Sequence, residues 1–210
     1  MSNYQKQVDK NHYSFGKYYY PGRWMSYWHE VDEILNCGQH GSVLDVGPGS
    51  DLLKNILAAL APDISYKTLD IAQDVQPDHI GGVTDIPIES GQFDVVCAFQ
   101  VLEHIEFKDV PQALVELSRV SKKHVLISLP HFGPSIEFQL KLPFVKRIRL
   151  ACKIPFAKKH VFGGQHYWEI GKNGYSVRKI RSLIQSHFTI TNEYVPFENQ
   201  YHRFFILEKK

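Results

Sequence analysis

Three histidines and three acids stand where this chain could use them for chemistry. His104, His131 and His166 carry imidazoles. These titrate near neutral pH, so any of the three could take a proton from an oxygen or nitrogen nucleophile. Asp45, Asp70 and Asp85 each follow a run that reads as a strand. An ionised carboxylate at such a point accepts hydrogen bonds from a ligand's hydroxyl, amide or amino groups. Between the first two lies Gly47-Pro48-Gly49, a loop whose backbone can approach a ligand with no Cβ in the way. Asp70 follows that loop by about 20 residues, the spacing at which nucleotide-binding α/β domains hold a ribose diol. Basic groups gather elsewhere. Lys141, Lys146, Arg147, Arg149, Lys153, Lys158 and Lys159 fall in a stretch, 138–168, that has no Asp or Glu.

The elements that must position these groups follow from hydrophobic period. Residues 43–46 read as a strand, and 51–61 as a helix closed by Pro62. A second strand covers 64–69 and a short third one 79–83, with a loop containing Pro77 between them. Residues 93–99 form a continuous apolar run, the pattern of a strand buried on both faces. A helix over 111–120 and a fifth strand over 124–129 complete the unit, which ends at Pro130-His131. Upstream, residues 1–21 hold Tyr13, Phe15, Tyr18, Tyr19 and Tyr20. Such an aromatic arm either packs on the domain or forms a flap over the ligand. A helix over 23–37 sets Trp24, Tyr27, Trp28, Val31, Ile34 and Leu35 on one face, with Gly38 as its stop. Downstream, 131–174 breaks the rhythm for about 40 residues, far more than a normal connection. A helix over 175–186 turns Val177, Ile180, Leu183 and Ile184 inward. A strand pair over 188–195 and 201–207 turns at Glu198-Asn199-Gln200.

The order Asp45-Val46-Gly47-Pro48-Gly49 resembles motif I of class I S-adenosylmethionine (SAM) dependent methyltransferases. The run Phe93-Asp94-Val95-Val96-Cys97-Ala98-Phe99-Gln100-Val101-Leu102-Glu103-His104-Ile105 looks like the fourth strand and following turn of the subgroup that includes ubiquinone-pathway O-methyltransferases. The resemblance implies a Rossmann-like, mainly parallel seven-stranded sheet, with helices on both faces and an antiparallel last strand. The break at 131–174 follows strand five on the ligand side of such sheets, where an insertion is placed to cap the substrate. SAM would be the cofactor and S-adenosylhomocysteine the product. Gly47, Pro48 and Gly49 would wrap its methionine part, with Asp45 beside them. Asp70, with Ile71 next to it, would take the ribose. Asp85 would accept from the adenine amino group, with Ile86 on the purine face. Gln100 joins the cofactor residues at the end of strand four. Some relatives bind a divalent ion through Glu-x-x-Glu-His at this turn. Here Gln100 replaces the first acid, a weaker ligand for a hard cation, so no metal is expected.

Chain length and composition fit this picture. The 210 residues suit one α/β domain: an arm and helix over 1–40, a cofactor core over 41–130, a cap over 131–174 and a closing unit over 175–210. Cys37, Cys97 and Cys152 form no C-x-x-C pair, and no apolar leader or span is visible, which predicts a cytoplasmic location. A net charge of +2 argues against bulk binding to nucleic acid. The expected reaction is methyl transfer to an oxygen or nitrogen of a small or medium polar acceptor. The basic insertion suggests an anionic one, such as a sugar phosphate, nucleotide sugar or lipid-linked glycan. Alternatively, 138–160 makes an amphipathic peripheral contact with a membrane, or a solvated basic face. Two rival functions are a catalytically silent SAM- or partner-binding module and a nucleotide-dependent oxidoreductase. Leu52 stands where the dinucleotide fingerprint needs its third glycine and speaks against the latter.

Overall fold

Alternating apolar side chains along the strands feed two cores, one on each face of a central sheet. The computed structural model describes residues 7, 12–37, 41–156 and 158–210. In chain order the elements are α1 (Pro21–Asn36), β1 (Ser42–Val46), α2 (Leu52–Leu60), β2 (Ser65–Asp70), β3 (His79–Ile80), β4 (Phe93–Phe99), α3 (Val110–Val120) and β5 (Ser121–Pro130). Then come β6 (Ser135–Leu140), β7 (Ile148–Lys153), α4 (Val177–Gln185), β8 (Phe188–Tyr194) and β9 (His202–Lys209).

Seven strands form one sheet in the order β3-β2-β1-β4-β5-β9-β8. The first five are parallel, and β9 runs antiparallel to both β5 and β8. Because strand side chains alternate in direction, neighbours in sequence part company. Leu44, Val96, Val125 and Phe205 pack with α3 and α4, while Val43, Val95, Leu126 and Phe204 pack with α1 and α2. Helices thus cover both faces, as the resemblance implied. The sheet order reverses beside β1 and β4. Ligands of open α/β sheets bind at such a switch point, beyond the carboxyl ends of the strands.

The structure departs from the sequence reading in three places. First, α1 buries Ser26, Tyr27, Glu30, Val31 and Ile34, while Trp24 and Trp28 stay exposed. The buried face has rotated to admit a carboxylate. The proposed stop at Gly38 lies outside the described residues; Cys37 caps α1 by donating its N–H to the Glu33 carbonyl. Second, β3 is only two residues long, and an isolated bridge between Gly82 and Asp85 turns the chain away. Third, the insertion contains an antiparallel hairpin, β6–β7, where no strand was expected. Its apolar residues recur every second position, which is the period of a strand.

Candidate active site

Two adjoining cavities open at the carboxyl ends of β1, β2 and β4. The outer one is floored by apolar side chains, among them Val46, Leu69, Ile71 and Val83. The inner one is a chamber lined by charged and hydroxyl groups. Tyr13, Gly47, Gly49, Gln100 and His104 line both, so a ligand reaching from one to the other passes these five residues.

The glycine loop has both steric and conformational reasons for its sequence. Gly47 and Gly49 sit at φ +70 and +65, a region that only glycine enters without cost. A Cβ on Gly47 would meet Val101 at 2.8 Å, and one on Gly49 would meet the Tyr13 hydroxyl at 2.5 Å. The Gly47 N–H donates to the Leu69 carbonyl at 2.8 Å, which stitches the loop to β2. Asp45 lies beneath, almost wholly buried, and accepts from the Tyr66 hydroxyl. Burial pushes its carboxyl up to about 7, against the lowering effect of that bond. Asp70 lines the outer cavity and accepts from the Ala72 N–H at 2.8 Å. Burial raises its pKa, while backbone donors oppose the rise. Gln100 adopts φ +57, an uncommon conformation for a side chain of its size. Its amide group donates to the Ser128 hydroxyl at 3.1 Å, which fixes it at the junction.

Of the residues read from sequence, Asp45, Gly47, Pro48, Gly49, Asp70, Ile71 and Gln100 line one or both cavities. Asp85 and Ile86 do not. Gly81, Gly82 and Val83 bring the third strand's end to the outer cavity. Asp85 is exposed beyond the turn, and its charge bears on Arg119. Ile86 is buried in the core, and its N–H donates to Glu116 Oε2 at 2.9 Å. The short β3 explains both positions: the chain turns before they can reach the ligand.

The three candidate bases also separate. His104 and His166 meet in the inner chamber, with ring centroids 5.0 Å apart. His131 lines neither cavity. Arg203 Nε donates to its Nδ1 at 3.2 Å, and burial with the charges of Arg203 and Lys153 lowers its pKa to about 3. His104 Nδ1 lies 2.6 Å from Gln7 Oε1; burial, then the charge of His166, brings its pKa down to about 4. His166 goes the other way. Burial alone would lower its pKa, but a 3.1 Å hydrogen bond between its Nδ1 and Glu169 Oε1, and the charge of Glu103, raise it. Of the three it is the one whose proton affinity is raised by its surroundings, with Nε2 left free of the Glu169 contact.

Sequence reasoning missed several chamber residues. Glu103 is fully buried, and neither carboxylate oxygen has a hydrogen-bond partner among the described residues. Burial lifts its pKa to about 7. Glu30 is pushed well above the carboxylate range by burial, opposed by Arg23. Gln7 and Tyr13 come from the arm, so its flap reading is the one this geometry favours. Tyr19 fastens the arm by donating to the Ser50 hydroxyl at 2.8 Å. Glu103, His104 and His166 each offer a ligand atom, all within 4.8 Å of one another. They could hold a divalent ion, although the sequence led to no metal being expected here. Arg23 adds a positive charge to the same wall, which weakens the case for a second cation.

The strand order, the reversed β9 and the glycine loop at the switch point define a Rossmann-like methyltransferase fold. Residues 44–129, under half of the chain, match the family model described as a methyltransferase domain. The mitochondrial ubiquinone biosynthesis O-methyltransferase of Candida albicans is 36% identical, over 36% of this chain and 28% of its own length. The match therefore spans under a third of that relative. A protein of Pyrococcus horikoshii OT3 superposes with a TM-score of 0.62 at 15% identity, covering 97% of this chain and 100% of that one. The glycopeptide N-methyltransferase MtfA gives 0.60 at 14% identity, covering 86% and 95%. The N-methyltransferase NodS of Bradyrhizobium japonicum WM9, solved with S-adenosylhomocysteine, gives 0.55 at 9% identity, covering 90% and 88%. At these identities the structural likeness shows the fold.

Proposed function

We propose that this chain transfers the methyl group of SAM to an oxygen or nitrogen of a polar acceptor held in the inner chamber, with His166 as the base. The observation that carries this reading is the His166–Glu169 pair beside the junction of the two cavities. SAM supplies a methyl group activated on a sulfonium. The outer cavity fits its adenosine, with Asp70 on the ribose hydroxyls and Val83 and Ile105 among the apolar walls. The methionine part lies along Gly47–Gly49, with Asp45 and Arg23 in the chamber to face its ammonium and carboxylate.

The acceptor enters the chamber so that its attacking atom meets the methyl group at the junction. His166 Nε2 takes the proton that the acceptor loses, and Glu169 holds the ring and stabilises the imidazolium. His104, neutral at pH 7 with its pKa near 4, lines the junction without carrying the proton. Glu103 and Glu30 favour an acceptor that brings hydrogen-bond donors, a hydroxyl or an ammonium. The anionic acceptor suggested by the insertion's charges has less support, because Lys146, Arg147 and Arg149 line neither cavity.

The test is single-turnover conversion of SAM in His166→Ala, with SAM affinity read separately by calorimetry. The rate should fall by about 10²–10⁴ while SAM affinity stays within about twofold. An unchanged rate would remove His166 from this role.

A further inference from the structure

The hairpin in the insertion is turned the wrong way round for a domain that keeps its apolar surface inside. Its register pairs Ile136 with Cys152, Phe138 with Leu150 and Leu140 with Ile148. Side chains alternate across a strand, so these six share one face. Ile136 is 63% exposed, Phe138 53% and Leu150 62%; Leu140, Ile148 and Cys152 are exposed as well. The opposite face is the one tied to the body. Arg149 pairs with Glu198, and Lys153 Nζ donates to the carbonyls of His131 at 2.8 Å and Gly133 at 2.6 Å. The fold thus anchors the polar face and presents the apolar one. At the turn, Phe144 is fully exposed, and Leu142 and Val145 are half exposed. Lys141, Lys146 and Arg147 flank them.

A contiguous apolar face whose turn is flanked by cations, with the one acid of β6, Glu137, on the opposite face, marks a docking surface. We infer that β6–β7 and its turn dock this protein on an anionic lipid bilayer surface. Charge complementarity selects this occupant: cations surround the tip, and no Asp or Glu occurs in 138–168. Apolar side chains at the end of a hairpin sink to the headgroup boundary, while Lys and Arg stay level with the phosphates. No helix among the described residues is long and apolar enough to cross a membrane, so the contact is with the surface. The inference stands apart from the methyl-transfer reading, because none of these hairpin residues lines either cavity.

The experiment is sedimentation of the full chain with phosphatidylcholine vesicles, alone and with phosphatidylglycerol added, in low and high salt. The expected result is pelleting on anionic vesicles, with little on neutral ones and less as salt rises. Lys146→Gln with Arg147→Gln should weaken it by about 10- to 30-fold. Phe138→Asp with Leu150→Asp should abolish it while leaving SAM affinity unchanged, which excludes misfolding as the cause. Phe144→Trp should shift its emission to the blue on anionic vesicles. No pelleting of the wild type would overturn the inference. So would pelleting that survives the double aspartate change, or a dimer in solution that the same change dissociates, since a second copy would then cover the face.

Discussion

The insertion after β5 has two halves that follow opposite rules. The returning half, around residues 165–170, is locked to the body. Trp168 is fully buried, and its Nε1 donates to the carbonyls of Leu102 at 3.1 Å and Ile105 at 3.2 Å. The Tyr167 N–H donates to the Glu103 carbonyl at 2.8 Å, and His131 and Ile170 form a parallel bridge. These bonds hold His166 against the turn that carries Glu103 and His104. The outgoing half, β6–β7, has its hydrogen bonds within itself, a few polar ties to the body and an apolar face left bare. One insertion therefore supplies both a chamber wall, whose geometry must be rigid, and a hairpin whose apolar residues the core does not use.

Truncations should separate the halves most sharply. Trp168→Ala removes a fully buried ring and leaves a cavity, which should cost about 3–5 kcal/mol in denaturant unfolding. Leu150→Ala, in the hairpin, should stay within about 0.5 kcal/mol. Equal costs would mean that the hairpin face is packed, and the comparison would fail.

A pH titration sharpens the same contrast at the chamber. Glu103 has its pKa raised from 4.5 to about 7 by burial in the folded state. A carboxyl raised on folding favours the protonated form. Its contribution is complete below the unfolded pKa and is lost as pH rises through the folded one. Glu103→Gln should therefore gain stability relative to wild type between about pH 5 and 8, by up to about 3 kcal/mol. Unfolding curves of the two proteins across that range would show it, and a constant difference would contradict it. The smallest effect belongs to the hairpin's polar tie. Arg149→Ala breaks a half-exposed pair with Glu198 and should cost about 0.2–1 kcal/mol by the same measurement.

The glycine loop and the strand ends beside it were more legible in the sequence than the rest of the inner chamber. The strand ending at Asp45, the glycine loop, Asp70 and the run through β4 carry their meaning locally, in periods and spacings of a few residues. The chamber does not. Glu30 sits on a helix face where hydrophobic counting favours Trp24 and Trp28, and only the presence of Arg23 and the chamber explains its burial. His166 and Glu169 are far in sequence from Glu103 and His104, and the Trp168 anchor that joins them has no local signature. His131 follows a strand end like a catalytic residue, yet β9 places Arg203 against it. The hairpin was obscured because its strands are joined by seven residues lacking a strong turn signal, and its apolar face is exposed among the described residues.

The burial of Trp168 also sorts the protein's three tryptophans by optical accessibility. Trp24 and Trp28 are 41% and 55% exposed, whereas Trp168 is sealed beside the chamber. An aqueous quencher such as iodide reaches the first two and spares the third. The emission that survives quenching then comes from the ring behind the inner chamber, so the chamber carries its own fluorescent reporter without any label.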